Sequence, residues 1–374
     1  MTMTKIPVNK DEIFYRIALG EAENVGKITA KKLISHFGSA HEVFRLSGRE
    51  LMQVGGMAHY RAKAIAGFSN WSKVERELDY AEKNGIQVIS YTDSLYPNRL
   101  KHCEDGPLVI FVKGTANLCA NRMMSIVGTR RLTEYGKSMT RNLVESLAPY
   151  GVTVVSGLAY GVDGEAHRAC VDFGIPTIAV LGHGLNKIYP PAHTRLANEM
   201  VENGGALISE FSIESKPDRE NFPQRNRIVA GMCDATLVVE SAARGGSIIT
   251  AELANDYHRD VFAIPGRVGD LRSEGCNKLI KGHRAALFES VKDLEYVMGW
   301  NLPEKSKPIQ KKIFVDLSPE EEAVLSFLKE KGRVQIDELS LALKSPMSMM
   351  MVHLLNLELN GLVKNFPGKF YEAC

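Results

Sequence analysis

The sequence predicts an α/β protein built on a doubly wound, mostly parallel sheet, preceded by a small all-helical region and followed by a second small module. Three observations carry this. Short, continuously apolar runs recur from residue 123 to residue 289, each of strand length. Helix-length amphipathic segments fill most of the gaps, and strands apolar on both faces alternating with helices require a parallel sheet covered on both sides. Residues 301–312, NLPEKSKPIQKK, hold two prolines and no apolar periodicity, which marks a linker. The 374 residues are therefore expected to divide into a helical region 1–68, a sheet domain 69–300, a linker 301–312 and a terminal module 313–374.

The elements follow in chain order. Residues 10–68 pattern as short helices broken by glycines. VGKITAKKL (25–33) and the segment 33–68 form two helix-hairpin-helix (SAM-like) units, each with a Gly-bearing hairpin before a helix with basic residues. The basic residues are Lys27, Lys31 and Lys32, then Arg61 and Lys63. Such hairpins offer backbone N–H groups to phosphates without reading sequence; a helical packing or protein-interaction domain is the other reading, and both stand. IQVISY (86–91) and PLVIFVKG (107–114) extend the sheet. The main strands are MMSIVG (123–128), VTVVSG (152–157), PTIAVLG (176–182), ALISE (206–210), ATLVVE (235–240), VFAIPG (261–266) and AALFE (285–289). In the first long gap Thr133 is an N-cap, Gly151 a C-cap, and Leu143 and Leu147 share a helix face. After the linker, Ser318 with Pro319 opens a helix. Two more helices and the hairpin LVKNFPGKFYEA complete a winged-helix pattern. Its recognition helix is Met-rich and nearly uncharged, which favours a protein contact over sequence-specific duplex reading.

Composition narrows the function. Hydrophobic content of 44% and charged content of 24% fit a soluble globular chain. A net charge of +2 means any polyanion site must be a local patch. The six cysteines are scattered without C-x-x-C spacing, so neither a zinc site nor a disulfide framework is expected. With no apolar h-region near the start and no run long enough to span a membrane, a cytoplasmic protein without a membrane partner is expected.

A doubly wound sheet binds ligands beyond the C-terminal strand ends. The loops there are GTRR (128–131), SGLAYGVDGEAH (156–167), GHGLNKIYP (182–190), EFSIESKPDRENFPQRNR (210–227), ESAARGGSIITAE (240–252) and PGRVGD (265–270). Gly permits close approach, helix N-termini suit phosphate, and Arg adds bidentate bonds and a flat stacking surface. Phosphate recognition is the chemistry that fits. The dinucleotide fingerprint and the Walker run are absent, so no nucleotide cofactor is expected. Asp163, Glu165 and His167 read as acids at a helix N-terminus with a neighbouring imidazole, so no catalytic residue and no metal ligand is assigned. Gly245, Gly246 and Ser247, following Arg244, form either a phosphate cradle or a plain strand–loop–helix turn with a Ser cap. In NFPQRNRIVAG (221–231) the arginines either pair with Asp218 and Glu220, or hold a nucleic-acid backbone while Phe222 stacks on a base. Arg130, Arg131 and Lys137 line the same crevice.

Taken together, YPNRLKH (96–102), SIVGTRRLTEYG (125–136), VVSGLAYGVDGEAHRA (154–169), TIAVLGHGLNKIYPPAH (177–193), LISEF (207–211), NFPQRNRIVAGMCDATLVVES (221–241), GGSIITAELA (245–254) and VFAIPG (261–266) resemble the DNA-processing protein A family (DprA, also called Smf). The resemblance implies an extended Rossmann-like domain that binds single-stranded DNA as a homodimer. It also implies a non-enzymatic recombination mediator that protects incoming strands in natural transformation and helps load the RecA recombinase. Its DNA pocket would use Arg130, Ser156, Gly157, Arg219, Phe222, Arg225, Asn226, Gly246 and Ser247, to which the local charge adds Lys137 and Arg244. The rival is an enzyme. GGSIITAE is similar to the loop of Rossmann-like nucleotide phosphoribohydrolases, with Glu252 as the acid.

Overall fold

The computed structural model describes residues 11–302, 317–366 and 368–373. It forms two compact units, Met1–Pro303 and Glu304–Cys374. Most of the expected linker lies outside the described residues.

The first unit opens with helices α1 (Glu12–Glu21), α2 (Lys27–Phe37), α3 (Ala40–Arg45), α4 (Gly48–Leu51), α5 (His59–Ala66) and α6 (Trp71–Lys83). The sheet elements follow: β1 (Gln87–Ser90), α7 (Asn98–Lys101), β2 (Val109–Gly114), β3 (Met123–Val127), α8 (Glu134–Leu147), β4 (Thr153–Ser156), α9 (Val162–Phe173) and β5 (Thr177–Leu181). The chain continues through α10 (Thr194–Glu202), β6 (Ala206–Ser209), α11 (Asn221–Gly231), β7 (Ala235–Val238), α12 (Gly246–Asp256), β8 (Asp260–Ala263), α13 (Glu274–Lys281), β9 (Ala286–Leu287) and α14 (Val291–Met298). All nine apolar runs become the nine strands, in the order β1-β2-β6-β5-β4-β3-β7-β8-β9. The β1–β2 and β2–β6 pairs are antiparallel and the rest parallel. From β3 the chain winds outward to β6, then returns to β7 on the other side of β3. The topological switch point, where a doubly wound sheet opens its crevice, lies between β3 and β7.

Local chemistry explains the elements. Thr133 caps α8, its hydroxyl accepting from the Gly136 amide at 3.0 Å. That helix stops at Leu147, and a short 3-10 turn carries the chain to Gly151 at φ +63°. Gly151 therefore ends the turn rather than the α-helix. Packing follows the strand alternation. Met124, Ile126, Val154 and Leu237 bury against α8, α9 and α14, while Val127, Val155, Ile178, Val180 and Ile208 bury against α11, α12 and α13.

The helical region is continuous with this core. Phe14, Tyr15, Leu33, Phe44, Phe68 and Trp71 belong to the same buried cluster as Val109, Phe111, Leu181 and Leu207 of the sheet. Polar ties reinforce the joint. Lys27 pairs with Glu210 at 3.3 Å, and the Lys31 Nζ donates to the carbonyls of Cys103 and Glu104. Burial lowers the Lys31 pKa. Two of the basic residues expected to face phosphate from the first hairpin thus point into the sheet domain.

The second unit contains α15 (Pro319–Lys331), β10 (Val334–Gln335), α16 (Ile336–Ala342), α17 (Met347–Leu359), β11 (Val363–Phe366) and β12 (Phe370–Ala373). Its three strands pair in the order β10-β12-β11, giving the winged-helix arrangement. Ser318 and Glu321 form a capping box with Pro319 at the first helical position, which satisfies two orphan amides. On α17, Met350, Leu354 and Leu357 are buried in the module core, whereas Met349, Met351 and Leu355 are exposed.

Candidate nucleic-acid interface

The rim of the switch point is braced from inside by one carboxylate. The Thr129 amide donates to the Glu240 carbonyl at 2.7 Å, joining the ends of β3 and β7. The Glu240 carboxylate, 1% exposed, accepts from the Thr133 amide at 3.0 Å and from the Thr133 hydroxyl. It therefore occupies the N-terminus of α8, where a dinucleotide fold seats its pyrophosphate. An internal anion already fills that dipole end, so the crevice opens beside it.

On the β5 side, the structure corrects the expectation of a loop over 210–227. NFPQRNRIVAG is the helix α11, and Pro223 sits in its first turn, where no intrahelical N–H is needed. Helical winding sends neighbouring side chains in different directions. Phe222 turns outward, half-buried, with the Arg130 guanidinium 5.0 Å above its ring. Tyr189, 43% exposed, lies beside it with ring centroids 6.2 Å apart and planes inclined at 34°. A Cβ on Gly182 would stand 3.2 Å from the Phe222 ring, so that glycine lets the ring sit against β5. Arg130 is itself exposed. The result is a solvent-facing cluster of a cation and two aromatic faces.

Arg225 and Arg227 turn inward, and neither pairs with Asp218 or Glu220. Arg227 meets Glu210, both nearly buried. Arg225, only 4% exposed, donates to the Val180 carbonyl at 2.7 Å. It lies against Gly157, whose missing side chain makes room: a Cβ there would fall 1.6 Å from the Arg225 Nη1. The Asp163 carboxylate accepts from the Gly157 and Ala159 amides at 3.1 and 3.4 Å. Burial pushes the Asp163 carboxyl pKa up, and the Arg225 charge and these amides oppose that rise. Burial pulls the Arg225 pKa down, Asp163 offsets it, and the positive charge of Arg130 adds to the fall. Arg225 thus lies between an internal carboxylate and a second guanidinium, and an anion at Arg130 would relieve the repulsion between the two cations.

The remaining expected residues divide the same way. Lys137, Arg219 and Arg244 are exposed, and Asn226 is partly exposed. Ser156 is fully buried, and its hydroxyl donates to the Ile126 carbonyl at 2.6 Å inside the sheet. Gly245 caps α12, which begins at Gly246, so Ser247 is its second residue rather than its cap. The Ser247 hydroxyl donates to the Ser241 hydroxyl at 2.8 Å. The amides of Gly246 and Ser247, in the first helical turn, have no intrahelical acceptor. Gly246 is exposed with open space around it, which leaves this helix end clear for an anion. Glu252 turns away: it pairs at 3.0 Å with Arg284, which lies just before β9 at the opposite, N-terminal end of the strands.

Beneath the rim, His167 is fully buried, with its Nδ1 2.8 Å from the Thr177 hydroxyl. That hydroxyl gives its proton to the Val154 carbonyl at 3.0 Å, so the imidazole donates from Nδ1. Desolvation, with His193 and Arg225 nearby, drops the His167 pKa to about 3. The ring is a neutral packing element. Among the described residues no helix is long and apolar enough to cross a membrane.

The sequence reading passed over Tyr189. The signal for it was an aromatic on a loop at the end of a central strand, opposite Phe222.

Comparison with known proteins agrees with this architecture. The family model of DNA recombination-mediator protein A matches residues 87–298, and the DprA winged helix domain matches 315–369. Among curated proteins, the chain is 35% identical over 338 residues to protein Smf of Escherichia coli, spanning 87% of this chain and 88% of that one. It is 37% identical over 221 residues to the DNA processing protein DprA of Bacillus subtilis, spanning 59% and 74%. Among solved structures, DNA processing protein A from Streptococcus pneumoniae superposes with a TM-score of 0.65 at 28% identity, over 77% of this chain and 98% of that one. DNA processing protein A from Helicobacter pylori, described for its single-stranded DNA binding mode, gives 0.52 at 27%, over 57% and 95%.

Proposed function

Because the chain belongs to the DNA recombination-mediator protein A family, we propose that the crevice at the β3/β7 switch point holds single-stranded DNA. The observation that carries this reading is the exposed cluster of Arg130, Phe222 and Tyr189. Single strands are gripped by cations along the backbone and aromatic faces under the bases, and an unpaired base has a free face that a duplex hides. Arg130, Lys137, Arg219, Arg244 and the α12 amides at Gly246 and Ser247 take phosphates. Phe222 and Tyr189 take bases, and Asn226 lies beside them. Arg225 acts from beneath: bonded to the Val180 carbonyl and balanced through space by Asp163, it sets the positive potential of the floor and the position of α11. Gly157 makes room for it, and Ser156 fixes the strand end through its hydroxyl.

In this role the protein is a non-enzymatic, cytoplasmic recombination mediator that protects incoming single strands during natural transformation and helps load the RecA recombinase. It acts as a homodimer through the last elements of the sheet domain. The short edge strand β9 is exposed at both residues, and Tyr296 on α14 is 91% exposed; an uncovered sheet edge with an aromatic beside it suits pairing with a second copy. The phosphoribohydrolase reading needs an acid at the α12 loop, and the Glu252–Arg284 pair takes that acid away from it.

Arg130→Ala tests the site. It is expected to weaken single-strand binding for every base composition and to reduce the slope of log K against log salt by about 0.7, the share of one phosphate contact on a single strand. Unchanged affinity and slope in a folded variant would remove the site from this crevice.

A further inference from the structure

The rim has one more built segment that the crevice described above does not use. Between β8 and α13 the chain runs through PGRVGDLRS, 265–273. Here Val268 is 101% exposed and Leu271 74% exposed. Arg267 and Arg272 flank them, both exposed and neither in an ion pair among the described residues. Two exposed aliphatic side chains thus stand between two guanidiniums without an ion-pair partner among the described residues.

This segment is not a loose excursion. Asn277 clamps its base, donating to and accepting from the Gly266 backbone, both at 3.1 Å. Asp270 closes a turn, accepting from the Arg272 amide at 3.0 Å and from the Ser273 hydroxyl at 3.1 Å. That carboxylate is thereby turned back onto the loop's own backbone. Contacts also fix its place on the rim. The Gly275 amide donates to the Ser241 carbonyl at 2.8 Å, and the Tyr135 hydroxyl to the Pro265 carbonyl at 3.4 Å. The first joins the loop to the start of the Ser241–Ser247 turn. The second joins it to the first turn of α8, which also carries Lys137. Because β8 lies next to β7 and parallel to it, the loop continues the row of C-terminal strand ends past Gly246.

From this continuity we infer that residues 267–272 form a second single-strand contact, extending the DNA path from Phe222 and Arg130 past α12 to the β8 loop. Arg267 and Arg272 hold two phosphates, and Val268 and Leu271 cover the faces or edges of the bases between them. The inference rests on the reading of the crevice as the single-strand site and adds to its length.

The test uses full-length protein and fluorescent oligothymidylates of graded length, titrated across a salt series. The variants are the pair R267A/R272A and the pair V268S/L271S, with melting temperatures checked against wild type. On long oligonucleotides R267A/R272A is expected to bind about tenfold more weakly. Its salt slope should fall by about 1.4, two phosphates at about 0.7 each. V268S/L271S should weaken binding with no change in slope. On oligonucleotides too short to leave the Arg130 segment, both should match wild type. If R267A/R272A equals wild type at every length while Arg130→Ala still weakens binding, this extension is wrong and the crevice reading stands. If Arg130→Ala is also silent, the crevice reading fails with it. DNA binding unchanged but affinity for a recombinase filament reduced would overturn the inference and give the loop to a protein partner.

Discussion

At the level of single residues, two buried groups of opposite charge, Arg225 and Asp163, lie beneath the crevice and influence each other through space, which the sequence does not display. Arg225 and Asp163 are both nearly inaccessible. Arg225→Ala would remove the positive charge that opposes the burial of the Asp163 carboxyl and leave the buried Val180 carbonyl without its side-chain donor, a loss of about 1–3 kcal/mol. The double variant with Asp163→Asn is expected to recover part of that, which chemical denaturation would show; equal destabilisation of single and double variants would mean the two do not interact. The sequence suggested an exposed Arg225, and the reason it is buried instead lies in what the helix packs against. NFPQRNR presents a ring, two guanidiniums and three side-chain amides within seven residues, but the two guanidiniums lie about 200° apart on the helix, and each is drawn into the protein by its own acceptor, Arg225 by the Val180 carbonyl and Arg227 by Glu210. The placement of Phe222 and Arg130 on the rim was legible because both lie at the C-terminal ends of the parallel strands, where the fold itself exposes them. His167 makes a pH prediction at the same scale. Its pKa falls from 6.5 unfolded to about 3 folded, so the native state refuses a proton that the unfolded chain accepts. Its contribution to stability is intact above pH 6.5 and is lost as pH falls below it, by about 1.4 kcal/mol per unit. The raised Asp163 carboxyl acts in the opposite sense. A comparison with His167→Gln isolates the imidazole: the variant's stability should decline less between pH 6.5 and pH 5, and an identical decline would mean another group controls it.

Among the elements, the strands were the most legible part of the chain and the helical region the least. A strand buried on both faces leaves a continuous apolar run, and each such run became a strand. The helical region showed glycine-broken helices with lysines, a pattern equally suited to a phosphate-binding hairpin or to packing against a neighbour. Lys27 and Lys31 decide for packing at the first hairpin, because Glu210 and the carbonyls of residues 103 and 104 take their ammonium groups. Trp71 at the start of α6 is the centre of that joint, with ring centroids of Phe14, Phe44 and Phe68 at 5.8, 5.0 and 4.8 Å. Trp71→Ala is expected to cost about 3–5 kcal/mol. Since the aromatic cluster continues into the β2 and β6 region of the core, calorimetry should show one transition of Met1–Pro303 shifted down as a whole. A separate early transition for the helices alone would show that the shared core does not couple them.

Across the whole molecule, a net charge of +2 supplies no general attraction for a polyanion, so binding has to come from the local arrangement on the rim. The rim gathers its cations from four separate loops, and a buried carboxylate, Glu240, closes the one helix end that a dinucleotide would need. The sheet is thereby left with an exposed cation and two aromatic faces at one side of the switch point and an open helix N-terminus at the other. The most direct measurement is the affinity of the full-length protein for a fluorescent single strand and for the duplex of the same sequence, across a salt series. The account predicts preference for the single strand at every salt concentration, with affinity falling steeply and linearly on a log–log plot. Equal or tighter binding of the duplex would contradict it, because stacked and paired bases have no faces to offer Phe222 and Tyr189.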